Sequence, residues 1–182
     1  REQSIMSGVV PMVAAMMGPG AAGTAYIPAL ADFVPMVKGT SHMALGGPPL
    51  VKAVVGEDIT AEELGGSKVH CEISGCADLE VPDDKACLQA IKDYLGYFPS
   101  SNTERPPVRP CADPTDRQDP GLLTLVPDSP RRAYDIKKVI RAIVDHGELF
   151  EIKPAWAKNI VVALARLGGT PVGVVANQPM VL

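Results

Sequence analysis

Aromatic residues, long apolar runs and excess positive charge are all scarce in this sequence, and each shortage excludes a class of protein. The 182 residues include 3 Phe, 4 Tyr and 1 Trp, so the core has to be built from aliphatic and small side chains. The net charge of −4 provides no basic face for nucleic acid. The longest apolar stretch, residues 9–17, contains Pro11 and is far shorter than a bilayer span. We therefore expect neither a nucleic-acid partner nor a membrane partner.

Cysteine is also sparse, and its spacing does not suggest a zinc fold. The four cysteines, Cys71, Cys76, Cys87 and Cys111, are separated by intervals that fit no zinc ribbon or finger. His70 lies beside Cys71 with Cys76 nearby, which leaves a metal site as a weaker alternative. We expect structural thiols in a reducing compartment and no metal site.

Glycine and proline are abundant, with 17 and 18 copies, and they divide the chain into short elements. Before residue 99, strand-like and helix-like patterns alternate, which favours a layered α/β fold. The predicted strands cover residues 9–17, 33–38 and 42–45, and the predicted helices cover 21–31, 48–55, a short turn capped by Thr60, and 83–98. The last helix is expected to bury Ala86, Leu88, Ile91, Tyr94, Leu95 and Phe98.

A proline-rich segment follows and separates this part from the rest of the chain. Six prolines between residues 99 and 120 predict an extended connector, which we place at 99–130. Beyond it we predict a helix at 134–144, strands at 150–152, 160–166 and 172–176, and a hairpin turn at Gly168-Gly169. The helix is expected to bury Ile136, Val139, Ile140 and Ile143. Both ends of the sequence interrupt a pattern, so we expect a longer parent protein.

The glycine-rich segment at residues 18–23 matches the pattern G-x-G-x-x-G between a predicted strand and a predicted helix. That pattern is typical of dinucleotide-binding folds. Such folds also need an acidic residue roughly twenty positions later, and residues 38–43 contain none. Pro19 further removes one N–H that could face a phosphate, and no Lys-Ser or Lys-Thr pair follows to make a phosphate-binding P-loop.

The same segment also supports an oxyanion hole made of backbone groups. A strand that enters a helix through small residues leaves N–H groups unpaired at the start of the helix. Such donors can stabilise an oxygen on which negative charge develops, provided that the ligand can approach the chain closely. A third interpretation is a tight turn that serves only to pack the helix on the sheet.

Side chains suited to acid–base or nucleophilic catalysis are hard to find. No serine lies in a nucleophile-elbow context. His42 follows a turn and could serve as a base, although a hydrogen-bonded strand-edge histidine explains it more simply. His146 is expected near a helix end, where it can complement the helix dipole. No nucleophile–base arrangement is therefore visible in the sequence.

The sequence resembles the carboxyltransferase subunits of biotin-dependent acyl-CoA carboxylases over essentially its whole length. The segment MGPGAAGTAY at residues 17–26 resembles the glycine-rich oxyanion segment of that family. The other matching pieces, in order, are residues 28–30, 47–52, 56–60, 63–66, His70, Ser74-Gly75, Asp113-Pro114, Asp116-Arg117, Tyr134-Asp135, Phe150-Glu151, 157–159, Ala165-Arg166 and 174–179. Each piece alone is weak, whereas this many pieces in one order is a specific signal.

The resemblance implies a crotonase-like α/β fold, of which this chain is a fragment of a two-half subunit. Residues 1–98 would form the later part of the N-terminal crotonase-like domain, 99–130 a connector, and 131–182 the start of the C-terminal domain. It implies a homo-hexamer that works with a biotin carboxylase and a biotin carboxyl carrier. The expected location is the cytoplasm of a bacterium or the mitochondrial matrix of a eukaryote.

The resemblance also implies an activity and a set of site residues. The family transfers CO2 from carboxybiotin to the α-carbon, or the vinylogous carbon, of an acyl-CoA. The backbone N–H groups of Ala22 and Gly23 would form the oxyanion hole, although the family usually has glycine at the first position and cysteine where Gly20 stands. The substrate-binding residues implied by the resemblance are Gly18, Gly20, Ala21, Gly47 and Pro48. We expect propionyl-CoA or acetyl-CoA as the substrate, with biotin as the cofactor.

Four alternatives remain open at the level of the sequence. The protein could carboxylate methylcrotonyl-CoA, or it could be a relative that runs the exchange in reverse and decarboxylates an acyl-CoA. It could be a nicotinamide-binding oxidoreductase, as the pattern at residues 18–23 allows. It could also be an assembly subunit without catalytic activity.

Overall fold

The chain forms two compact units, which are described separately. The computed structural model describes residues 1–129 and 131–181. The first unit comprises Arg1–Glu104 and the second comprises Arg105–Leu182. The division between them falls within the segment 99–130, for which the prolines predict a connector.

The first unit contains short parallel strands alternating with helices. In chain order the elements are α1 (Glu2–Met6), β1 (Pro19–Ala21), α2 (Gly23–Ala29), β2 (Pro35–Val37), β3 (His42–Ala44), α3 (Pro48–Val55), α4 (Ala61–Gly65), a π-helix (Val69–Ser74), β4 (Leu79–Val81) and α5 (Asp84–Leu95). β1 pairs with β3 and β2 pairs with β4, both in parallel. Parallel strands need helical crossovers, which explains the alternation of strands and helices.

The apolar run at residues 9–17 lies along β2 but forms only isolated bridges. Val13 is bridged to Phe33 and Met16 to Met36, both in the parallel sense. The Met16 N–H donates to the Pro35 carbonyl at 2.9 Å, and the Val37 N–H donates to the Met16 carbonyl at 2.9 Å. The predicted strand is therefore reduced to a bridged, extended segment, and the regular strand β1 begins only at Pro19.

Sulfur-containing and small aliphatic side chains fill the core of the first unit, as the scarcity of aromatic residues predicts. The buried cluster comprises Met16, Ala25, Val34, Met36, Met43, Cys71 and Ala77. Two of the few aromatic rings pack against each other, where Phe33 stacks on Tyr94 with ring centroids 4.4 Å apart. Burial raises the pKa of Tyr94 to about 12.

Local sequence signals set the ends of α3 and α4. Pro48 occupies the first turn of α3, and Gly56 ends that helix in a left-handed conformation with φ of 79°. α4 begins with the predicted capping box, in which the Thr60 hydroxyl accepts from the Glu63 N–H at 3.2 Å. The Glu63 carboxylate accepts in turn from the Thr60 hydroxyl, and this bond lowers the pKa of Glu63.

The face that α5 buries differs from the predicted one. Cys87, Ala90 and Tyr94 are buried, whereas Leu88 and Leu95 are exposed by 49% and 39%. The predicted helix and the burial of Tyr94, which stacks on Phe33, are confirmed, but Cys87 and Ala90 are buried in place of Leu88 and Leu95. The sequence patterns also missed β4 and the π-helix, which are only three and six residues long.

The second unit packs a helix against an antiparallel sheet. Its elements are α6 (Leu122–Leu125), α7 (Ile136–Ile143), a 3-10 turn (Asp145–Gly147), β5 (Phe150–Ile152), β6 (Ile160–Leu167) and β7 (Thr170–Asn177). The strand order is β5-β6-β7, and Gly168-Gly169 forms the predicted hairpin turn. No helix within residues 1–129 or 131–181 is both long and apolar enough to cross a membrane.

The core of the second unit lies between α7 and β6. Ile140 and Val144 pack against Val161 and Ala165, and partly buried aliphatic side chains surround them. Ile143, which the sequence pattern assigned to the buried face of α7, is instead 53% exposed. The helix thus buries a narrower face than the predicted stripe of Ile136, Val139, Ile140 and Ile143.

A polar network fixes the end of α7 to the hairpin turn. The Asp145 carboxylate accepts from the Gly168 N–H at 2.9 Å and from the Gly169 N–H at 2.6 Å. The hydrogen bond from Gly169 lowers the pKa of Asp145, and the bond from Gly168 adds to this effect. The Arg117 guanidinium donates to the last carbonyls of α7 and forms an ion pair with Asp113 at 2.8 Å.

Replacing Asp145 by Asn should destabilise the second unit. The amide cannot accept from both glycine N–H groups, so we expect a loss of about 1–3 kcal/mol at neutral pH. Because folding lowers the pKa of Asp145, its contribution is present above the unfolded pKa of about 4 and is lost as the pH falls through the folded pKa. Denaturant unfolding between pH 7 and pH 3 should show a smaller acid loss for Asp145→Asn than for the unchanged protein.

Asp116→Asn is the matched control, because Asp116 is exposed. Its stability should stay within about 0.5 kcal/mol of the unchanged protein. Parallel stability curves for the unchanged protein and Asp145→Asn across this pH range would contradict the account of Asp145.

Candidate functional site

The glycine-rich segment forms a one-residue connection between β1 and α2. β1 ends at Ala21 and α2 begins at Gly23, so Ala22 alone joins them. Ala22 has φ of 49° and ψ of −119°, a backbone region that normally belongs to glycine. These angles match the first central position of a type II′ turn. The side chain of Ala22 therefore makes this turn strained.

A threonine hydroxyl closes the turn. The Thr24 Oγ1 accepts from the Ala21 N–H at 2.8 Å and donates to the Ala21 carbonyl at 2.6 Å. One side chain thus bonds both polar backbone groups of the residue that precedes Ala22. We refer to residues Ala21–Thr24 as the clasped turn.

The two N–H groups assigned to the oxyanion hole have different surroundings. The Ala22 N–H donates to the Ala44 carbonyl of β3 at 3.1 Å, so it can serve a ligand only by sharing or giving up that bond. Within residues 1–129 and 131–181, the Gly23 N–H has no hydrogen-bond partner. Gly23 is exposed, and a Cβ placed on it would contact nothing within 4 Å. Gly23 is therefore the donor that a ligand can reach.

The second predicted segment leaves the sheet at the same edge. In the parallel pair, Ala21 of β1 lies opposite Ala44 of β3. β1 continues into the clasped turn, while β3 continues through Leu45 and Gly46 to Gly47 and Pro48 at the start of α3. The carboxyl ends of parallel strands are where ligands bind in many α/β proteins. The pairing thus brings both predicted binding segments to one edge.

The remaining predicted binding glycines differ in accessibility. Gly18 is half-buried with open space where a Cβ would lie, whereas Gly20 is buried in the middle of β1. An ideal Cβ on Gly20 would lie 2.8 Å from the Met16 Cε. Gly20 thus leaves room for the core methionine, and its contact with a substrate stays a prediction, as does that of Gly18.

His70, part of the weaker metal alternative, supports β3 instead. Its Nε2 lies 2.8 Å from the Met43 carbonyl, and its Nδ1 lies 2.9 Å from the Ser74 hydroxyl. A carbonyl only accepts, so Nε2 carries the hydrogen, and in the neutral ring Nδ1 then accepts from Ser74. Gly65 approaches the same carbonyl so closely that a Cβ would lie 2.1 Å from it. Sequence patterns other than the family resemblance gave no sign of this support.

A cluster in the second unit has the residue types of a metal site, but hydrogen bonds to protein groups explain the position of its carboxylates. The ligand atoms of Cys111, Asp113 and Asp145 lie within 4.8 Å of one another. Both carboxylates already accept from protein donors, Asp145 from the hairpin turn and Asp113 from Arg117 and the His146 N–H. These bonds account for the position of the acidic groups without an ion.

The geometry contradicts the dinucleotide-binding interpretation of residues 18–23. In that fingerprint the strand ends before the glycine-rich turn, and the turn leads into the helix. Here the strand β1 lies inside the motif, and the helix begins at its last residue, Gly23. The single residue Ala22 leaves no loop around which a pyrophosphate could be held.

Replacing Ala22 by Gly should stabilise the protein, because glycine adopts these angles without strain. We expect a gain of about 1 kcal/mol after the greater flexibility of the unfolded chain is allowed for. Ala21→Gly is the control, since Ala21 lies in β1 and the same exchange there should lower stability. Denaturant unfolding of both variants measures the difference, and a loss at Ala22 equal to that at Ala21 would argue against strain.

Comparison with known proteins places the chain in one family. A family model described as "Carboxyl transferase domain" matches residues 1–182. The propionyl-CoA carboxylase beta chain of Roseobacter denitrificans is 46% identical over 182 residues, which make up 100% of this chain and 36% of that protein. The methylmalonyl-CoA decarboxylase subunit alpha of Propionigenium modestum is 46% identical over 179 residues, 98% of this chain and 35% of the relative.

A solved structure confirms the predicted crotonase-like α/β fold. A crystal structure of transcarboxylase 12S, a hexamer described with hydrolysed methylmalonyl-coenzyme A bound, matches with a TM-score of 0.94 and 42% identity. The match covers 98% of this chain and 35% of that one. The chain thus spans about a third of the length of its relatives. On the evidence of sequence and structure together, the chain belongs to the carboxyl transferase domain family.

Proposed function

We propose that the protein carrying this chain transfers a carboxyl group between biotin and an acyl-CoA, and that the clasped turn binds the thioester oxygen. The observation that carries this proposal is the exposed Gly23 N–H, from which no described residue accepts a hydrogen bond. It lies at the position that the family resemblance assigns to the oxyanion hole. The open space beside Gly23 lets a thioester approach the backbone.

The proposed role of the turn is to stabilise negative charge on the thioester oxygen. When the carbon next to the thioester gains or loses a carboxyl group, it passes through an enolate, and an N–H aimed at the enolate oxygen lowers the barrier. Gly23 is the primary donor, because the Ala22 N–H bonds the Ala44 carbonyl. In the carboxylation direction the α-proton of the acyl-CoA would pass to the biotin that has lost its carboxyl group. This chemistry therefore needs no side-chain base in this chain, which agrees with the scarcity of candidate acids and bases.

Biotin, carried by a partner, would supply or accept the carboxyl group. The residues that hold its ring are proposed to lie in the part of the relatives that this chain does not span. The chain's own contribution is to bind the acyl-CoA at the edge where β1 and β3 end, with Gly47 and Pro48 beside the clasped turn.

Propionyl-CoA and methylmalonyl-CoA are the acyl-CoA pair that we propose. The named relatives include propionyl-CoA carboxylases and methylmalonyl-CoA decarboxylases, and the transcarboxylase structure is described with hydrolysed methylmalonyl-coenzyme A bound. Carboxylation of propionyl-CoA gives methylmalonyl-CoA, so the two kinds of enzyme named interconvert the same pair of compounds. The similarity favours this pair over acetyl-CoA and methylcrotonyl-CoA.

The direction of the reaction gives a second candidate function. The methylmalonyl-CoA decarboxylase of Propionigenium modestum and the propionyl-CoA carboxylase of Roseobacter denitrificans are both 46% identical to this chain. Identity therefore does not separate a carboxylase from a decarboxylase. The same turn would stabilise the same enolate in either direction, and dependence on a sodium-linked membrane partner would favour the decarboxylase.

We further propose a hexameric assembly with biotin carboxylase and carrier subunits, in the bacterial cytoplasm or the mitochondrial matrix. Three large apolar side chains on α2 or directly after it are 57–63% exposed in the isolated chain, namely Tyr26, Ile27 and Leu30. Exposed apolar patches of this kind mark protein interaction sites. In this assembly residues 1–98 and 131–182 would belong to two crotonase-like halves joined by 99–130.

The first test is a biotin-dependent decarboxylation assay on the full-length protein. Methylmalonyl-CoA, malonyl-CoA and methylglutaconyl-CoA are each incubated with free biotin, and loss of the carboxyl group is followed by mass spectrometry. We expect methylmalonyl-CoA to be converted to propionyl-CoA only when biotin is present. No conversion of any of the three by an assembled protein would refute the proposed function.

Gly23→Pro tests the donor within the same assay. Proline removes the N–H, and loss of one oxyanion donor lowers kcat by about 100- to 1,000-fold. The first helical position tolerates proline, so α2 should persist, which thermal melting can verify. Gly23→Ala keeps the N–H and should lose far less activity than Gly23→Pro. Equal activity of Gly23→Pro and the unchanged protein would remove Gly23 from the site.

A further inference from the structure

Strain at Ala22 raises the question of what keeps the clasped turn in its shape. An alanine with φ of 49° and ψ of −119° lies in a backbone region that glycine adopts without strain and other residues do not. A glycine at this position would adopt these angles without strain, so the turn would then need no special support. In this chain the backbone could relieve the strain by rotating Ala22 to a negative φ.

That rotation would turn the donor away from its ligand. The direction of the Gly23 N–H is set by the peptide plane between Ala22 and Gly23. Rotation about the backbone bonds of Ala22 reorients this plane. Because catalysis depends strongly on the alignment of such donors, a small misplacement would slow the reaction.

The Thr24 hydroxyl is placed to oppose the rotation. It bonds the N–H and the carbonyl of Ala21 at 2.8 Å and 2.6 Å, and thereby links the first and last residues of the turn. Its one hydrogen is donated to the Ala21 carbonyl, so the hydroxyl is committed to the turn rather than to a ligand. Serine offers the same two bonds, whereas valine has the shape of threonine but offers neither.

We propose that Thr24 is a positioning residue, whose hydroxyl holds the strained turn at Ala22 so that the Gly23 N–H faces the acyl thioester. Thr24 acts through Ala21 and Ala22 and does not itself touch the reacting atoms. The proposal rests on the proposed carboxyl transfer and adds to it a residue that compensates for alanine in the place of glycine.

Two backbone hydrogen bonds also support the turn and limit the expected effect. The Ala22 N–H donates to the Ala44 carbonyl at 3.1 Å, and the Ala25 N–H donates to the Ala22 carbonyl at 3.0 Å. Both bonds are available in a Thr24 variant, so we expect the turn to be displaced in part of the population while the fold is kept.

The test is a double-mutant cycle in the full-length protein with methylmalonyl-CoA and biotin. Thr24→Val, Thr24→Ser, Ala22→Gly and the double variant Ala22→Gly with Thr24→Val are compared with the unchanged protein. We expect Thr24→Val to lower kcat by about 10- to 100-fold while KM for the acyl-CoA changes by less than about threefold. Thr24→Ser should keep most of the rate. In the Ala22→Gly background, Thr24→Val should lower kcat by less than about threefold, because glycine adopts these backbone angles without strain.

Three results would overturn the proposal. Thr24→Val could lower kcat by the same factor in the Ala22 and Ala22→Gly proteins, which would mean that the hydroxyl does not compensate for the strain at Ala22. Its effect could fall on KM alone, which would indicate a binding contact. Thr24→Ser could be as slow as Thr24→Val, which would exclude the hydroxyl as the cause.

Thermal melting of the same proteins separates failure of this proposal from failure of the proposed function. If the unchanged protein converts none of the acyl-CoA substrates, both the carboxyl transfer and the positioning role of Thr24 are refuted. The melting temperatures still decide whether Thr24 holds the turn. Thr24→Val should then destabilise the Ala22 protein more than the Ala22→Gly protein, and equal shifts would refute the clasp itself.

Discussion

The parallel pairing of β1 with β3 is the interaction on which the candidate site depends. It places Ala21 opposite Ala44, and it extends one residue further through the bond from the Ala22 N–H to the Ala44 carbonyl. This pairing brings the clasped turn and the start of α3 to one edge of the sheet. It also occupies one of the two candidate donors, which leaves Gly23 to face a ligand.

The support of β3 extends from the turn to the π-helix. The Met43 carbonyl accepts from His70 and has Gly65 packed directly against it, one residue before the carbonyl that bonds Ala22. π-Helical turns are uncommon and often accompany functional sites. Here the π-helix at Val69–Ser74 places the His70 ring so that it bonds the Met43 carbonyl of β3 and the Ser74 hydroxyl at the same time. The site therefore depends on residues that a substrate never needs to touch.

Local signals predicted the parts of the structure that depend on neighbouring residues. Pro48, Gly56 and the Thr60 cap set the helix ends as expected, since each acts within one helical turn. The burial of Tyr94 on α5 was predicted, but the burial of Cys87 and Ala90 in place of Leu88 and Leu95 was not, because it depends on packing against β2, far away in the sequence. The location of the glycine-rich turn was predictable, but the pairing of the Ala22 N–H and the bonds of the Thr24 hydroxyl depend on three-dimensional contacts that no spacing reveals.

A structure of the assembled full-length protein with methylmalonyl-CoA bound would test the central claim most directly. The quantity to measure is the distance from the thioester oxygen to the Gly23 nitrogen. A distance of about 3 Å, with Ala22 at positive φ and its N–H still bonded to Ala44, is the predicted result. A thioester oxygen bound to other donors, with Gly23 covered by protein, would contradict the assignment of the clasped turn as the oxyanion hole.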